Sequence, residues 1–185
     1  MLTHHFSPFP ILVTDRMALR QLTLDDVDEM YLYRSDKELM RYIPRRLATC
    51  KEDAIDLINL INHRINEGLG INWAITLKGD DKMIGTIGFV GLLNDNYRAE
   101  VGYLLHTPYH GTGLMLEALN AVLDYGFKTM KLHSIEAVVN PENIPSSKLL
   151  EKAGFTKDAY FKEYQHHNGK FIDALVYSLI TKEMP

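Results

Sequence analysis

The stretch P-Y-H-G-T-G-L-M-L-E-A-L, residues 108 to 119, sets Gly111 and Gly113 one residue apart between a run that reads as a strand and one that reads as a helix. Backbone that bare can turn sharply and let a ligand lie against the main chain. Leu116, Leu119, Leu123 and Phe127 then recur at helical spacing, so the glycines open a helix whose first amides have no internal partner. An anion would satisfy them. Two common anion sites are excluded. A dinucleotide fingerprint would need a third glycine three residues past Gly113, where Leu116 stands, and a phosphate-binding P-loop would need a Gly-Lys-Ser/Thr ending. Metal chemistry has no support either: His4-His5 and His166-His167 are adjacent pairs with diverging side chains, and no H-E-x-x-H or Cys/His cluster occurs. No metal is expected. The single cysteine, Cys50, rules out an internal disulfide framework and reads as structural.

The elements that must hold the glycine turn can be read from patterning. R-M-A-L-R-Q-L alternates like a strand, and T-L-D-D offers Thr23 as a helix cap with Val27, Met30 and Tyr31 buried behind it. T-C-K-E opens a second helix with Ala54, Leu57, Ile58, Ile61 and Ile65 on one stripe, ending at Gly68. I-N-W-A-I-T-L and M-I-G-T-I-G-F-V-G-L-L form a hairpin, and A-E-V-G-Y-L-L follows as a third strand before the glycine turn. S-I-E-A-V-V is a further strand, I-P-S-S-K-L-L-E-K-A-G-F a short helix closing at Gly154, and the chain ends in two strands around Asn168-Gly169, a type I′ hairpin signal. The order βααβββαβαββ is mixed α/β of the α+β kind.

Composition bounds the class. The 185 residues, 46% hydrophobic, suffice for one well-buried core, so a single domain over 1–185 is expected, with 1–10 as a poorly structured extension. No run approaches the ~20 apolar residues of a membrane span, and the N-terminus lacks the pattern of a signal peptide. A cytoplasmic protein without membrane association is expected. A formal charge of −4 argues against nucleic acid as a partner, because that affinity depends on Lys and Arg neutralising phosphates.

Taken together, R-M-A-L-R-Q-L-T-L-D-D, I-G-T-I-G-F, A-E-V-G-Y-L, Y-H-G-T-G-L-M-L-E-A-L and N-P-E-N-I-P-S-S-K-L-L-E-K-A-G-F resemble, in order and spacing, the GNAT superfamily of acetyl-CoA-dependent N-acetyltransferases, in particular its RimJ/RimL branch of ribosomal-protein N-terminal acetyltransferases. The resemblance covers nearly the whole chain. It implies a central, mostly antiparallel sheet of about seven strands with two splayed parallel strands in the middle, here Glu100 to Leu105 and Ser134 to Val139. The family's pyrophosphate loop falls on His110, Gly111, Thr112, Gly113, Leu114 and Met115; His110 stands where a longer polar residue is usual and Met115 where a small one is. The pantetheine arm would run along Tyr103, Leu104 and Leu105 as an extra strand. Acetyl-CoA is the implied cosubstrate and a homodimer is admitted.

Transfer from a thioester to an amine needs a free-base amine, a stabilised oxyanion and a leaving thiolate. Glu100 matches the family's glutamate and is the candidate base, although an exposed strand-end carboxylate fits it equally. Asn143 and Ser146 match the family's Asn-x-x-Ser element and could contact coenzyme A or protonate the sulfur; Ser146 could equally cap the following helix. Tyr160 and Tyr164 lie where many members carry an acidic tyrosine, and Tyr160 completes the candidate catalytic set. With one plain base, an α-amine is favoured as acceptor over lysine: deprotonation at pH 7 costs ~1.1 against ~4.6 kcal/mol. R-Y-I-P-R-R, residues 41 to 46, falls where the family builds its acceptor wall but also reads as a solvated basic loop. A small-molecule acetyltransferase acting on an antibiotic or polyamine, and a CoA-binding sensor without turnover, remain as alternatives on the same fold.

Overall fold

The computed structural model describes residues 4–181. Leu12–Val13 (β1) and Met17–Arg20 (β2) form a hairpin, followed by the helices Val27–Ser35 (α1) and Lys51–Asn66 (α2). The strands Ile71–Leu77 (β3), Met83–Leu93 (β4) and Arg98–Leu105 (β5) make an antiparallel meander that feeds the helix Leu114–Asp124 (α3). Ser134–Val139 (β6), the helix Ile144–Lys152 (α4), Thr156–His167 (β7) and Lys170–Ile180 (β8) complete the chain. The eight strands lie in one sheet in the order β1-β2-β3-β4-β5-β6-β8-β7. The expected order gains one element, because the two residues of β1 pair with Leu19 and Ala18 at the edge of the sheet. So short a strand leaves no alternation to read.

Local chemistry explains the helices around the site. Thr23 and Asp26 cap each other reciprocally in a short 3-10 turn, and Arg20 holds Asp26 through two bonds of 2.8 and 2.7 Å, which keeps this buried carboxylate paired. In α1 the buried aromatic is Tyr33, whose hydroxyl donates to the Met83 carbonyl, while Tyr31 is half-buried. Along α2, Ala54, Ile58 and Ile65 are buried and Leu57 and Ile61 pack at their flank, as the sequence pattern requires. The buried stripe of α3 is rotated by one residue from the expected one: Leu114, Met115, Ala118, Leu119, Val122 and Leu123 face the core and Leu116 is half-buried. The helix then widens into a π-helical turn, Tyr125–Thr129.

Residues 4–10 depart from the expected poorly structured extension. Phe6 is buried, Phe9 packs edge-on to Trp73 and the Trp73 indole donates to the Pro10 carbonyl at 2.7 Å. Aromatic anchors bind this segment without any periodic pattern that the sequence could display. Residues 1–3 lie outside the described part. The Asn168-Gly169 turn joins β7 to β8 with positive φ at both positions (49° and 76°), as a type I′ turn requires.

Candidate active site

The centre of the sheet holds its one parallel pairing. β5 and β6 are in register only at Arg98 with Ser134, Ala99 with Ile135 and Glu100 with Glu136; beyond Glu100 the strands part. From Val101 to Leu105, β5 stays bonded to β4 on one side and has no strand on the other. A row of peptide groups therefore faces a wedge-shaped opening in the middle of the sheet, where an extended ligand could complete the ladder.

The fork ends at the glycine turn. Gly111 and Gly113 both adopt the left-handed conformation, with φ of 75° and 82°. A Cβ at Gly111 would meet nothing within 4 Å, and one at Gly113 would meet only Arg16 Nη2 at 3.5 Å. Backbone conformation, not close packing, is what glycine serves here. The first helical bond of α3 runs from Glu117 N to Gly113 O, so the amides of Leu114, Met115 and Leu116 precede the internal ladder. The side chains of Leu114 and Met115 are buried, which leaves only their amides for a ligand and removes Met115 as an obstacle. His110 is drawn away: its Nε2–H donates to the Leu105 carbonyl at 2.7 Å. Thr112 Oγ1 donates to the Tyr109 carbonyl at 2.6 Å.

The positive charge at this loop comes from a residue that the sequence did not single out. Arg16, just ahead of β2, donates through Nη1 to the Thr112 carbonyl at 3.0 Å and through Nε to Glu117 at 2.6 Å, while its own amide bonds Glu117 at 2.9 Å. Burial opposes the charge on Glu117, but hydrogen bonds from Thr14 and Arg16 outweigh it and hold the carboxyl at about 2. Arg16 opens the R-M-A-L-R-Q-L-T-L-D-D stretch, but its partner Glu117 lies about a hundred residues away, so only the fold reveals the clamp.

Side chains on β5 alternate between the two faces of the sheet. Tyr103 faces the α3 side, and its hydroxyl shares a 2.7 Å hydrogen bond with Ser146. Burial pushes the Tyr103 phenol up to about 12, so its proton is firmly held. Asn143, not Ser146, caps α4: its Oδ1 accepts from the Ser146 amide at 3.3 Å, which frees the Ser146 hydroxyl for Tyr103. Leu104 faces the other way, towards the cluster formed with α1 and α2, and Glu100 shares that face. Burial raises the Glu100 pKa, the like charge of Glu136 raises it further and Arg45 partly opposes both. Glu136 is itself paired with Arg98.

Tyr160 stands apart from this cluster. It lies on β7, two strands beyond β6, half-exposed, with its hydroxyl donated to Asp173. Tyr164 is equally exposed on the same strand. The phenol that the fold brings beside Ser146 is Tyr103.

Residues 16–156 match the family description "Acetyltransferase (GNAT) domain". The chain belongs to the GNAT acetyltransferase family. It is 38% identical over 172 residues to the N-acetyltransferase p20 of Bacillus licheniformis, a protein of uncharacterised activity, covering 93% of this chain and 97% of p20. It is 29% identical over 127 residues to the [ribosomal protein uS5]-alanine N-acetyltransferase of Escherichia coli, covering 68% of this chain and 66% of that protein. A GNAT acetyltransferase structure from Bacillus anthracis superposes with a TM-score of 0.83 at 31% identity, over 94% of this chain and all of that one. The ribosomal L7/L12 α-N-protein acetyltransferase RimL, solved with coenzyme A, shares the fold with a TM-score of 0.83 at 19% identity, over 92% of this chain and 98% of RimL. The GNAT member described here is thus an N-acetyltransferase, and no helix among its described residues is long and apolar enough to cross a membrane.

Proposed function

We propose that this enzyme moves the acetyl group of acetyl-CoA to the α-amine of a protein or peptide N-terminus. The observation that carries the reading is the fork itself: the β5–β6 ladder stops at Glu100 and Glu136, and the carboxylate at the fork is the one whose pKa is raised. The residues present fit acetyl-CoA. Amides 111 to 116 and the Arg16 guanidinium would meet its pyrophosphate, and the open edge of Val101 to Leu105 would pair with the pantetheine arm. When bound, acetyl-CoA supplies an acyl group activated as a thioester. Glu100 takes a proton from the incoming amine on the α1–α2 face, directly or through one water. Its raised pKa makes it a stronger base than an ordinary carboxylate. Ser146, held by Tyr103 on the opposite face, donates a hydrogen bond from Oγ to the sulfur as it departs as a thiolate, which then takes its proton from water. Asn143 fixes the helix start that aims Ser146.

A single carboxylate base suits an α-amine, whose deprotonation at pH 7 costs ~1.1 kcal/mol, better than a lysine or polyamine at ~4.6 kcal/mol. The relation to the uS5-alanine N-acetyltransferase supports the same acceptor class. The test is mass spectrometry of a protein extract treated with the purified enzyme and isotopically labelled acetyl-CoA. Label on protein N-termini is expected. Label confined to lysines or small amines would overturn the acceptor assignment, and bound acetyl-CoA without any transfer would overturn catalysis.

A further inference from the structure

The last rung before the sheet forks is a pair of carboxylates. Glu100 of β5 lies in register with Glu136 of β6, and parallel partners present their side chains on one face of the sheet from backbones about 4.8 Å apart. Arg98 shares that face, two residues before Glu100 on the same strand. On the other side of Glu100 the register partner in β4 is Gly91, where a Cβ would stand 4.0 Å from the Glu100 Cβ, so that position sets no side chain against the carboxylate. Beyond Glu136 the row continues to Ser178 of β8, whose hydroxyl is given to Asp158 of β7. Arg45, from the segment between α1 and α2, is the other charge that acts on Glu100.

The two carboxylates are held differently. That of Glu100 has no hydrogen bond or ion pair among the described residues, whereas Glu136 accepts through Oε2 from Arg98 Nη2. Oε1 of Glu136 has no partner among the described residues. Stability does not account for the ion pair: Arg98 Nε is buried without a partner among the described residues, and a pair as exposed as this one adds little to folding. What the pair accomplishes is to fix one carboxylate beside another where the strands begin to part.

An aliphatic amine reaches such a site at pH 7 mostly as its ammonium, which has three N–H donors for the carboxylate oxygens around it. We propose that Glu136 is a positioning residue for acetyl transfer: its Oε1 receives the incoming ammonium beside Glu100, and Arg98 aims the carboxylate by holding Oε2. Glu100 then takes one proton, so that an ammonium and a carboxylate become an amine and a carboxylic acid. Glu136 keeps the neutral nitrogen through a second N–H and leaves its lone pair free for the thioester carbon. The inference rests on the reading of Glu100 as the base, but not on what the amine is attached to.

The experiment compares Glu136→Gln with Arg98→Gln, which break one ion pair from opposite ends, and runs Glu100→Gln beside them. Thiol release is followed against pH with a C-terminally amidated peptide that begins with alanine and with spermidine; whichever is acetylated serves, and melting curves verify folding. Glu136→Gln is expected to raise the KM for the amine at least tenfold and leave the KM for acetyl-CoA unchanged. It removes a like charge from beside the base, so the acid limb of kcat/KM should move to lower pH. Arg98→Gln leaves Glu136 uncompensated, so the limb should move to higher pH with no rise in the KM for the amine. A pair that only braces the sheet would give both variants the same response. If Glu100→Gln abolishes the limb while the two ion-pair variants leave it in place or shift it together, the base stands and the positioning role of Glu136 is overturned. An unchanged KM for the amine in Glu136→Gln would overturn it equally. A normal limb in Glu100→Gln would remove the base and this inference together.

Discussion

Replacing Gly113 by alanine separates the conformational role of the loop from its packing. At φ 82°, ψ −2° an L-residue is strained by roughly 1–2 kcal/mol, while the added methyl meets only Arg16 Nη2 at an ordinary 3.5 Å. Alanine also stiffens the unfolded chain by about 0.4–1 kcal/mol, and a loop that relaxes out of the left-handed region escapes the strain while unliganded, so the unfolding free energy should be unchanged or slightly raised. Binding compares two folded states and lacks that compensation. Free of ligand, the loop can relax out of the left-handed region; with the pyrophosphate bound, the amides must return to it. The affinity for acetyl-CoA should therefore fall by the whole strain, a factor of about 5–30. Isothermal titration calorimetry, paired with urea unfolding, reads both quantities. Gly113→Asn, whose side chain tolerates left-handed backbone, should recover most of the loss. An alanine variant with normal unfolding and affinity within twofold of the parent would show that these amides do not meet the anion in this conformation.

Three further outcomes follow from the site. Glu100→Gln should lower the rate at pH 7 by ~10²-fold, with the loss shrinking at higher pH where more amine is already free. Because the folded pKa of Glu100 lies above its ordinary 4.5, its ionisation weakens the fold as pH rises through that raised value; the Gln variant should melt higher than the parent at pH 7 and equally below about pH 4. Ser146→Ala should reduce kcat with little change in the KM for acetyl-CoA, and Tyr103→Phe should do the same more weakly; a lower melting temperature with normal turnover would make the pair a packing feature instead. Glu117, held at about 2, contributes stability that is full above 4.5 and is lost as pH falls towards 2; Arg16→Ala should flatten that acid limb in melting curves and weaken acetyl-CoA binding, and an unchanged limb would refute the clamp.

The legible parts of this molecule are those fixed by local chemistry. The α2 stripe, the Thr23–Asp26 cap, the meander and the Asn168-Gly169 turn all follow from neighbours within a few residues. The sharp turn at the glycine pair was legible too, and both glycines take the left-handed backbone it requires. What stayed hidden depends on long-range closure. Arg16 meets Glu117 and Thr112 only once β2 lies beside α3, and Tyr103 meets Ser146 only because β5 and α4 share a face.

The seam between β5 and β6 has a mechanical consequence. Three residue pairs are all that join the plate β1–β5 to the plate β6–β8–β7 through the ladder, so the sheet resembles two panels on a short hinge. An extended molecule lodged in the wedge becomes a splint across that hinge. At a hundredfold excess over its dissociation constant it adds about 2.7 kcal/mol to the folded state. The slowing of amide exchange that accompanies loading should then spread from the glycine turn into β6 and β8, far beyond the atoms touched. The resistance of the C-terminal panel to proteases would thereby become a gauge of how much acetyl-CoA the enzyme is carrying.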